Sequence, residues 1–230
     1  MSQKIVQQIV TIDGPAGGGK STAAKNLAKA LNFDYLDTGA MYRCAALAAS
    51  RTDANWQNSE EIAEIVARHN ISNEHGHTFL DGIDVSEEIR RPEITRLTHW
   101  TADNPFIREQ MVLLQRQTAL GRRIVTEGRD QGTVVFPDAP CKFYLTASPE
   151  VRARRRMEEL LSQGQNCSFD EILSSIITRD EGDINRKFGP LRKPDDAVEI
   201  NSDFLTPEGV VLKMVKIVRD TLGIKTPCKF

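Results

Sequence analysis

Nine residues near the N-terminus combine glycines, a lysine and two hydroxyl side chains in a spacing that suits phosphate binding. The segment Gly14-Pro15-Ala16-Gly17-Gly18-Gly19-Lys20-Ser21-Thr22 matches the pattern G-x-x-x-x-G-K-[ST] at every fixed position. Its glycines let the backbone turn N–H groups inward around a phosphate. Lys20 is expected to reach the β- and γ-phosphates of a nucleoside triphosphate, and Ser21 to ligate Mg²⁺.

The residues on either side of this loop support the same interpretation. The apolar run 9–12 predicts a strand before it, and the alanine-rich segment 23–31 predicts a helix after it. A helix N-terminus adds partial positive charge where the phosphates would lie. The alternative is a glycine-rich turn that matches the pattern by chance, and the flanking strand and helix argue against it.

Two further polar segments follow predicted strands. Asp37-Thr38-Gly39-Ala40-Met41-Tyr42-Arg43 ends the second strand, and Glu127-Gly128-Arg129-Asp130 follows the strand at 124–126. Ligands of open α/β sheets bind outside the carboxyl ends of the strands, so both segments are expected near the triphosphate. Arg43 could hold a second phosphate group, and Glu127 could act on Mg²⁺. Taken alone, each segment also fits a plainer interpretation: a helix cap by Thr38 with a surface arginine, or a turn built on Gly128.

Arginine is concentrated later in the chain. Arg152, Arg155 and Arg156 share one face of a predicted helix by their i, i+3, i+4 spacing. Arginines that close over a moving phosphoryl group stabilise its charge, so we expect a lid. For any single arginine the alternative is a solvated helix face balanced by neighbouring glutamates. The other charged residues of this region are Arg154, Arg179, Asp180, Asp183, Arg186 and Arg192.

The predicted elements indicate how these residues are carried. Strands alternate with helices, which predicts an α/β fold with a parallel, doubly wound sheet around the phosphate-binding loop. Short runs at 70–74, 77–80 and 83–85, joined by glycine-containing turns such as Asp81-Gly82, predict an antiparallel meander. A meander does not belong in a βαβ core, so residues 40–100 are expected to form an inserted subdomain, with residues 1–39 and 101–230 as the core.

Capping residues predict where several helices begin. Asn104 with Pro105 predicts a helix from about 104 to 120. Ser59 is expected to cap another helix, and the segment 168–171 has the spacing of a capping box at Ser168.

Composition narrows the class of protein. The 230 residues carry a net charge of −2, which gives no reason to expect binding to nucleic acid or an acidic membrane. No apolar run approaches the roughly 18 residues of a membrane span. Residues 1–4 lead directly toward the first strand, so no signal peptide is expected. The cysteines at 44, 141, 167 and 228 and the four histidines lack metal or redox spacing, which favours reduced thiols in the cytoplasm.

Taken together, these segments resemble the bacterial cytidylate kinases, a family of nucleoside monophosphate kinases with a P-loop NTPase core. The run 127–139 and the insert are more specific to that family than the loop. The resembling segments are 12–22, 36–43, 84–90 and 127–139, with Arg179, Asp180, Asp183, Asn185 and Arg186.

The resemblance implies transfer of a phosphoryl group from ATP to CMP or dCMP with Mg²⁺, by a chain with a core, a CMP-binding insert and a short lid at about 152–190. We expect the chain to act as a monomer on these small-molecule substrates. The resemblance also implies Lys20, Arg129, Arg155 and Arg186 as catalytic residues, with Arg155 near the transferred group. Ser21 and Glu127 would serve the metal, although Glu127 stands where the family often has aspartate. The implied CMP contacts are Thr38, Arg43, Arg129 and Arg186 for the phosphate, Arg108 and Asp130 for the base, and Arg179 and Asp183 for the sugar.

The base assignment also follows from chemistry. Cytosine presents an amino donor beside ring acceptors, and an acid paired with an arginine complements that edge. Uracil reverses the pattern and would place a carbonyl against Asp130, so a site of this kind rejects it. Two alternatives stay open: a kinase for another acceptor such as UMP, AMP or a small metabolite, and a regulatory module that binds or hydrolyses ATP.

Overall fold

The computed structural model describes residues 7–74 and 76–224. Its strands are β1 (Gln8–Asp13), β2 (Asp34–Asp37), β3 (Ile71–Glu74), β4 (His77–Leu80), β5 (Ile83–Asp84), β6 (Arg123–Gly128), β7 (Cys141–Thr146) and β8 (Val198–Asn201). Its helices are α1 (Lys20–Leu31), α2 (Thr38–Ser50), α3 (Ser59–Ala67), α4 (Pro92–Ala102), α5 (Pro105–Ala119), α6 (Pro149–Ser162), α7 (Phe169–Asn185) and α8 (Pro207–Leu222). The expectations for residues 1–4 and Cys228 lie outside the described residues.

Five parallel strands form the central sheet in the order β2-β6-β1-β7-β8. Its side chains alternate between two apolar cores, because successive residues of a strand point to opposite faces. Ile9 packs in the core on the side of α2 and α5, whereas Val10 and Ile12 pack against α1 and α8. Helices cover both faces of the sheet, which explains why β1 is an almost continuous apolar run. The prediction of a parallel, doubly wound α/β sheet is confirmed.

A second, antiparallel sheet pairs β3 with β4 and β4 with β5. Asp81 and Gly82 join β4 to β5, and both have positive φ angles, of 52° and 80°. Two consecutive residues of this kind suit a tight hairpin turn. The predicted meander is therefore present, and it lies between α2 and α4 in the chain.

The helix starts were predicted with mixed success. Asn104 caps α5 by accepting from the N–H groups of Phe106 and Ile107, as expected. The prediction for Ser59 is wrong, because Asn58 lies one residue earlier and its side chain accepts from Glu61 N. The capping box at Ser168 is also wrong, since α7 begins there but the hydroxyl makes no capping hydrogen bond. Within the described residues, no helix has the length and apolar character that crossing a membrane requires.

Candidate active site

The glycine-rich loop connects β1 to α1, as the motif requires. Gly14 has a φ of 151°, and a Cβ atom there would overlap the carbonyl oxygen of Leu145 on β7. Lys20 is the first residue of α1 and only 5% exposed, and its Nζ donates to Pro15 O at 2.7 Å. Burial, and then the positive charge of Arg129, lower the pKa of Lys20. A bound phosphate would offset both effects, so the lysine is placed to receive an anion.

One cleft of about 990 Å³ runs from this loop to α5 and α7. Two loop residues, Gly14 and Pro15, do not line it, and their contacts instead shape the loop from behind. Every other site residue predicted from the sequence lines this one cleft. These residues are Ala16, Gly17, Gly18, Gly19, Lys20, Ser21, Thr22, Thr38, Arg43, Arg108, Glu127, Arg129, Asp130, Arg155, Arg179, Asp183 and Arg186.

Three hydroxyl groups contact Glu127, which lines the cleft with the loop. Ser21 Oγ donates to Glu127 Oε1 at 2.8 Å, and the Tyr35 hydroxyl lies 3.5 Å from the same oxygen. Thr38 Oγ1 donates to the backbone carbonyl of Glu127 at 2.7 Å. The alternative in which Thr38 caps α2 is wrong, since the carboxylate of Asp37 accepts from the N–H of the first turn instead. Sequence reasoning missed Tyr35.

A buried ion pair also lines the cleft. Arg108 on α5 and Asp130 after β6 form it, and each side chain is 6% exposed. Arg186 Nη2 lies 3.9 Å from the other carboxylate oxygen of Asp130. Arg108 also donates to Ala102 O at 3.0 Å, which ties the pair to the end of α4. A buried acid held by two arginines presents fixed donors and an acceptor to a polar ligand.

A second group of charges lines the same cleft. Arg129 Nε donates to Asp183 Oδ2 at 2.6 Å, and Arg186 lies 3.8 Å from the same carboxyl group. Burial opposes ionisation of Asp183, but Arg129, Arg186 and Arg179 together hold the pKa of that carboxyl below its usual value. Burial and the charge of Arg129 lower the pKa of Arg179. On the opposite wall, Arg43 donates to Thr95 Oγ1 at 2.6 Å.

Comparison with known proteins matches this arrangement to one family. The cytidylate kinase family model matches residues 10–220. A cytidylate kinase of Caldanaerobacter subterraneus subsp. tengcongensis is 47% identical over 210 residues, which is 91% of this chain and 94% of that protein. The cytidylate kinase of Rhodopirellula baltica is 45% identical, over 92% of this chain and 93% of its own length.

The chain belongs to the cytidylate kinase family. Membership makes it a nucleoside monophosphate kinase, which is a phosphotransferase. A crystal structure of shikimate kinase from Bacteroides thetaiotaomicron is 14% identical with a TM-score of 0.50, and the match covers 94% of this chain and 99% of that one. At that identity the likeness is one of fold, and it agrees with the α/β kinase core described above.

The three arginines predicted to share one face of α6 have different surroundings. Arg152 is 3% exposed, donates to the loop carbonyl of Ala16 at 2.9 Å and pairs with Asp180 on α7 at 2.6 Å. It therefore belongs to the framework that joins the loop to α7. Arg155 lines the cleft while donating to the backbone carbonyl of Ser202 at 2.6 Å.

The remaining arginine of that face, Arg156, also lines the cleft, but at a more exposed position. Arg156 pairs with Glu159 at 2.6 Å, and both side chains are half exposed. The i, i+3, i+4 spacing thus groups three residues whose surroundings differ.

His99 is not among the site residues that the sequence predicts, and it lines the cleft together with Asp103. Its Nδ1 lies 2.7 Å from Arg96 O, and its ring lies against that of Trp100. Sequence reasoning also missed Tyr42, whose ring lies 5.6 Å from the Arg108 guanidinium, and Arg90, which pairs with Asp37 at 3.3 Å. Tyr42 and Arg90 make these contacts with residues distant in sequence, whereas the contacts of His99 are local.

Proposed function

We propose that the protein transfers the γ-phosphoryl group of ATP to CMP or dCMP, giving ADP and CDP or dCDP. One observation carries this proposal: the phosphate-binding loop and the buried Arg108–Asp130 pair line one and the same cleft. A switch or a simple ATPase needs no second polar group of this kind. A kinase for a second nucleotide needs both groups within one cleft.

The loop is the donor half of the proposed site. Its N–H groups and the N-terminus of α1 would surround the phosphates of ATP. Lys20 would exchange its hydrogen bond with Pro15 O for contacts with the β- and γ-phosphates. Because the lysine is buried, its charge would act in a medium that screens it weakly, which strengthens its effect on the transferred group.

Ser21 and Glu127 fit a Mg²⁺ ion. They place a hydroxyl and a carboxylate oxygen 2.8 Å apart, and hard oxygen donors are what Mg²⁺ prefers. No cluster of three or more His, Cys, Asp or Glu side chains occurs within residues 7–74 and 76–224. Mg²⁺ commonly takes only one or two protein ligands and completes its shell with substrate phosphates and water. When bound, the ion neutralises charge on the phosphate oxygens.

Charged groups of the cleft would hold the acceptor. We assign the phosphate of CMP to Arg43, Arg129 and Arg186 and to the Thr38 hydroxyl. Each guanidinium group can donate two parallel hydrogen bonds to the oxygens of one phosphate. Arg179 and Asp183 would hold the sugar hydroxyls. Arg155 would contact the transferred group after leaving the Ser202 carbonyl.

The Arg108–Asp130 pair would select the base. The Asp130 carboxylate would accept from the cytosine amino group, and Arg108 would donate to the ring acceptors. With uracil, a carbonyl oxygen would face the carboxylate, and neither group would have a partner. Unpaired buried groups of this kind explain strong rejection of the wrong base.

The chemistry we propose is direct in-line transfer without a covalent enzyme intermediate. An oxygen of the acceptor phosphate forms a bond to the γ-phosphorus while the bond from that phosphorus to the ADP oxygen breaks. The nucleophile is already an anion, so the protein contributes positioning and electrostatic stabilisation rather than a base. Closing the cleft would exclude water, which competes as an acceptor.

Steady-state kinetics with CMP, dCMP, UMP and AMP at saturating MgATP test this proposal. We expect CMP and dCMP to be phosphorylated with the highest kcat/KM. Preference for UMP or AMP would favour the alternative of a kinase for another acceptor. ADP release that is independent of every acceptor would favour the regulatory module.

We further propose that the enzyme acts as a cytoplasmic monomer. The observation in support is that one chain supplies both the phosphate-binding loop and the proposed acceptor residues. Cys44, Cys141 and Cys167 are free thiols, as expected in a reducing compartment. Light scattering of the purified protein tests the oligomeric state, and a dimer at micromolar concentration would contradict it.

A further inference from the structure

A single π-helical turn follows directly after the two residues that face the acceptor. This segment is Gln131–Val135, and Asp130 is the residue directly before it. The N–H groups of Val134 and Val135 both donate to Asp130 O. We call it the platform turn. Because Arg129 and Asp130 enter it without an intervening linker, its orientation sets where their side chains point.

One end is held by Asp13, the last residue of β1. Its two carboxylate oxygens accept separately, from Gln131 N at 2.9 Å and from Gly132 N at 2.7 Å. Asp13 is completely buried and does not line the cleft. Burial raises the pKa of this carboxyl to about 6 although both N–H groups favour the ionised form. A carboxylate retained at such a position points to a specific task, since burying a charge is costly.

The other end is held by Arg116 on α5. Its guanidinium donates to Val135 O at 2.8 Å and to Val134 O at 2.9 Å. The side chain of Gln131, the first residue of the turn, is held as well. It accepts from Thr126 Oγ1 at 3.0 Å and donates to Gln115 Oε1 at 3.1 Å. Side chains of β1, α5 and β6 thus contact the platform turn: Asp13, then Arg116 and Gln115, and Thr126.

We propose that Asp13 is a positioning residue for the acceptor: through the platform turn it fixes Arg129 and Asp130 relative to the phosphate-binding loop. The inference rests on the proposed function of those two residues. Asp13 is suited to this task because β1 continues directly into the loop, so one residue connects the donor and acceptor halves. A displacement of the reacting groups by about 1 Å costs roughly 10²-fold in rate.

Replacing Asp13 with asparagine tests the proposal. The amide group places a donor against one of the two N–H groups, so one anchor of the platform turn is lost while side-chain volume is kept. We expect the KM for CMP to rise about tenfold and the kcat/KM preference for CMP over UMP to fall, with the KM for ATP changed less than about twofold. The matched control is Asp34→Asn, on the half-exposed acid at the start of β2 that pairs with Arg122. It should leave all three quantities near wild type.

The outcomes separate the possible roles. A raised KM for ATP with an unchanged KM for CMP would assign Asp13 to the loop and overturn the proposal. Loss of stability with unchanged KM values and base preference would show a structural role only, and would also overturn it. If Asp13→Asn does not fold, Arg116→Met tests the other anchor, and there an unchanged KM for CMP overturns the proposal.

The same series distinguishes this inference from the proposed function. If the wild type does not phosphorylate CMP, the proposed function itself fails. If the wild type prefers CMP and Asp130→Asn loses that preference while Asp13→Asn and Arg116→Met keep it, only the positioning role fails. A CMP-specific defect in both anchor variants supports the platform turn as the element that sets the acceptor site.

Discussion

Replacing Asp130 with asparagine should change the base that the enzyme prefers. Asp130 is 4% exposed and paired with Arg108, so its carboxylate is the principal acceptor at that point of the cleft. The substitution preserves shape but makes one of the two oxygens a donor. In the proposed complex, cytosine loses a hydrogen bond to a charged acceptor, whereas the carbonyl of uracil gains a donor.

The size of the effect follows from these two changes. A hydrogen bond to a charged group contributes about 1.5–3 kcal/mol, and a comparable amount is gained when uracil no longer faces a carboxylate. The two changes together amount to about 3–6 kcal/mol, which corresponds to a fall of about 10²–10⁴-fold in the ratio of kcat/KM for CMP to that for UMP. Stability should fall as well, by up to about 3–5 kcal/mol, because Arg108 is left as a buried charge.

The assay is ADP release at saturating MgATP, measured with CMP and with UMP, together with thermal denaturation of each variant. Asp138→Asn is the matched control, since it removes the same charge from an exposed position just beyond the platform turn. Its selectivity should equal that of the wild type. If Asp130→Asn is folded and its preference for CMP is within twofold of wild type, the assignment of the base to Arg108 and Asp130 is refuted.

Three further predictions concern the loop and the proposed metal site. Lys20→Ala should lower kcat by at least about 10²–10³-fold, because the variant lacks the charge that we assign to stabilising the transferred group, while Tm should change little. Turnover at the wild-type rate would contradict the mechanism. Gly14→Ala should lower the free energy of unfolding by about 1–3 kcal/mol or more, since its Cβ meets the Leu145 carbonyl. Gly182→Ala on α7, where a Cβ meets nothing within 4 Å, should instead be neutral or stabilising in the same denaturation experiment, and equal losses would refute the steric argument. Glu127→Gln should raise the Mg²⁺ concentration at half-maximal rate by about 10–100-fold, and an unchanged Mg²⁺ titration would remove this carboxylate from the metal's surroundings.

Several features were predictable because short segments specify them. The phosphate-binding loop needs glycines at fixed positions, and the Asp81-Gly82 hairpin needs two residues that tolerate positive φ. Asn104 and Pro105 predict the start of α5 for the same reason. The failures at Ser59 and Ser168 are also instructive. Whether a hydroxyl caps a helix depends on competing neighbours and on the path of the preceding chain, which local spacing does not specify.

The residue types and their spacing in the sequence are enough to predict a phosphate-binding loop, a carboxylate after a neighbouring strand, and an arginine-rich second half on an α/β sheet. The tertiary structure decided which charges do what. Arg152 and Arg156 lie on the same helix face, yet one is buried against the loop and the other pairs with an exposed glutamate. Periodicity predicts the face of a helix but not the depth to which each residue of that face is buried, because that depends on elements distant in sequence. Asp13 shows the same limit, since its partners at 131 and 132 reach it only when β1 and β6 pair in the folded sheet.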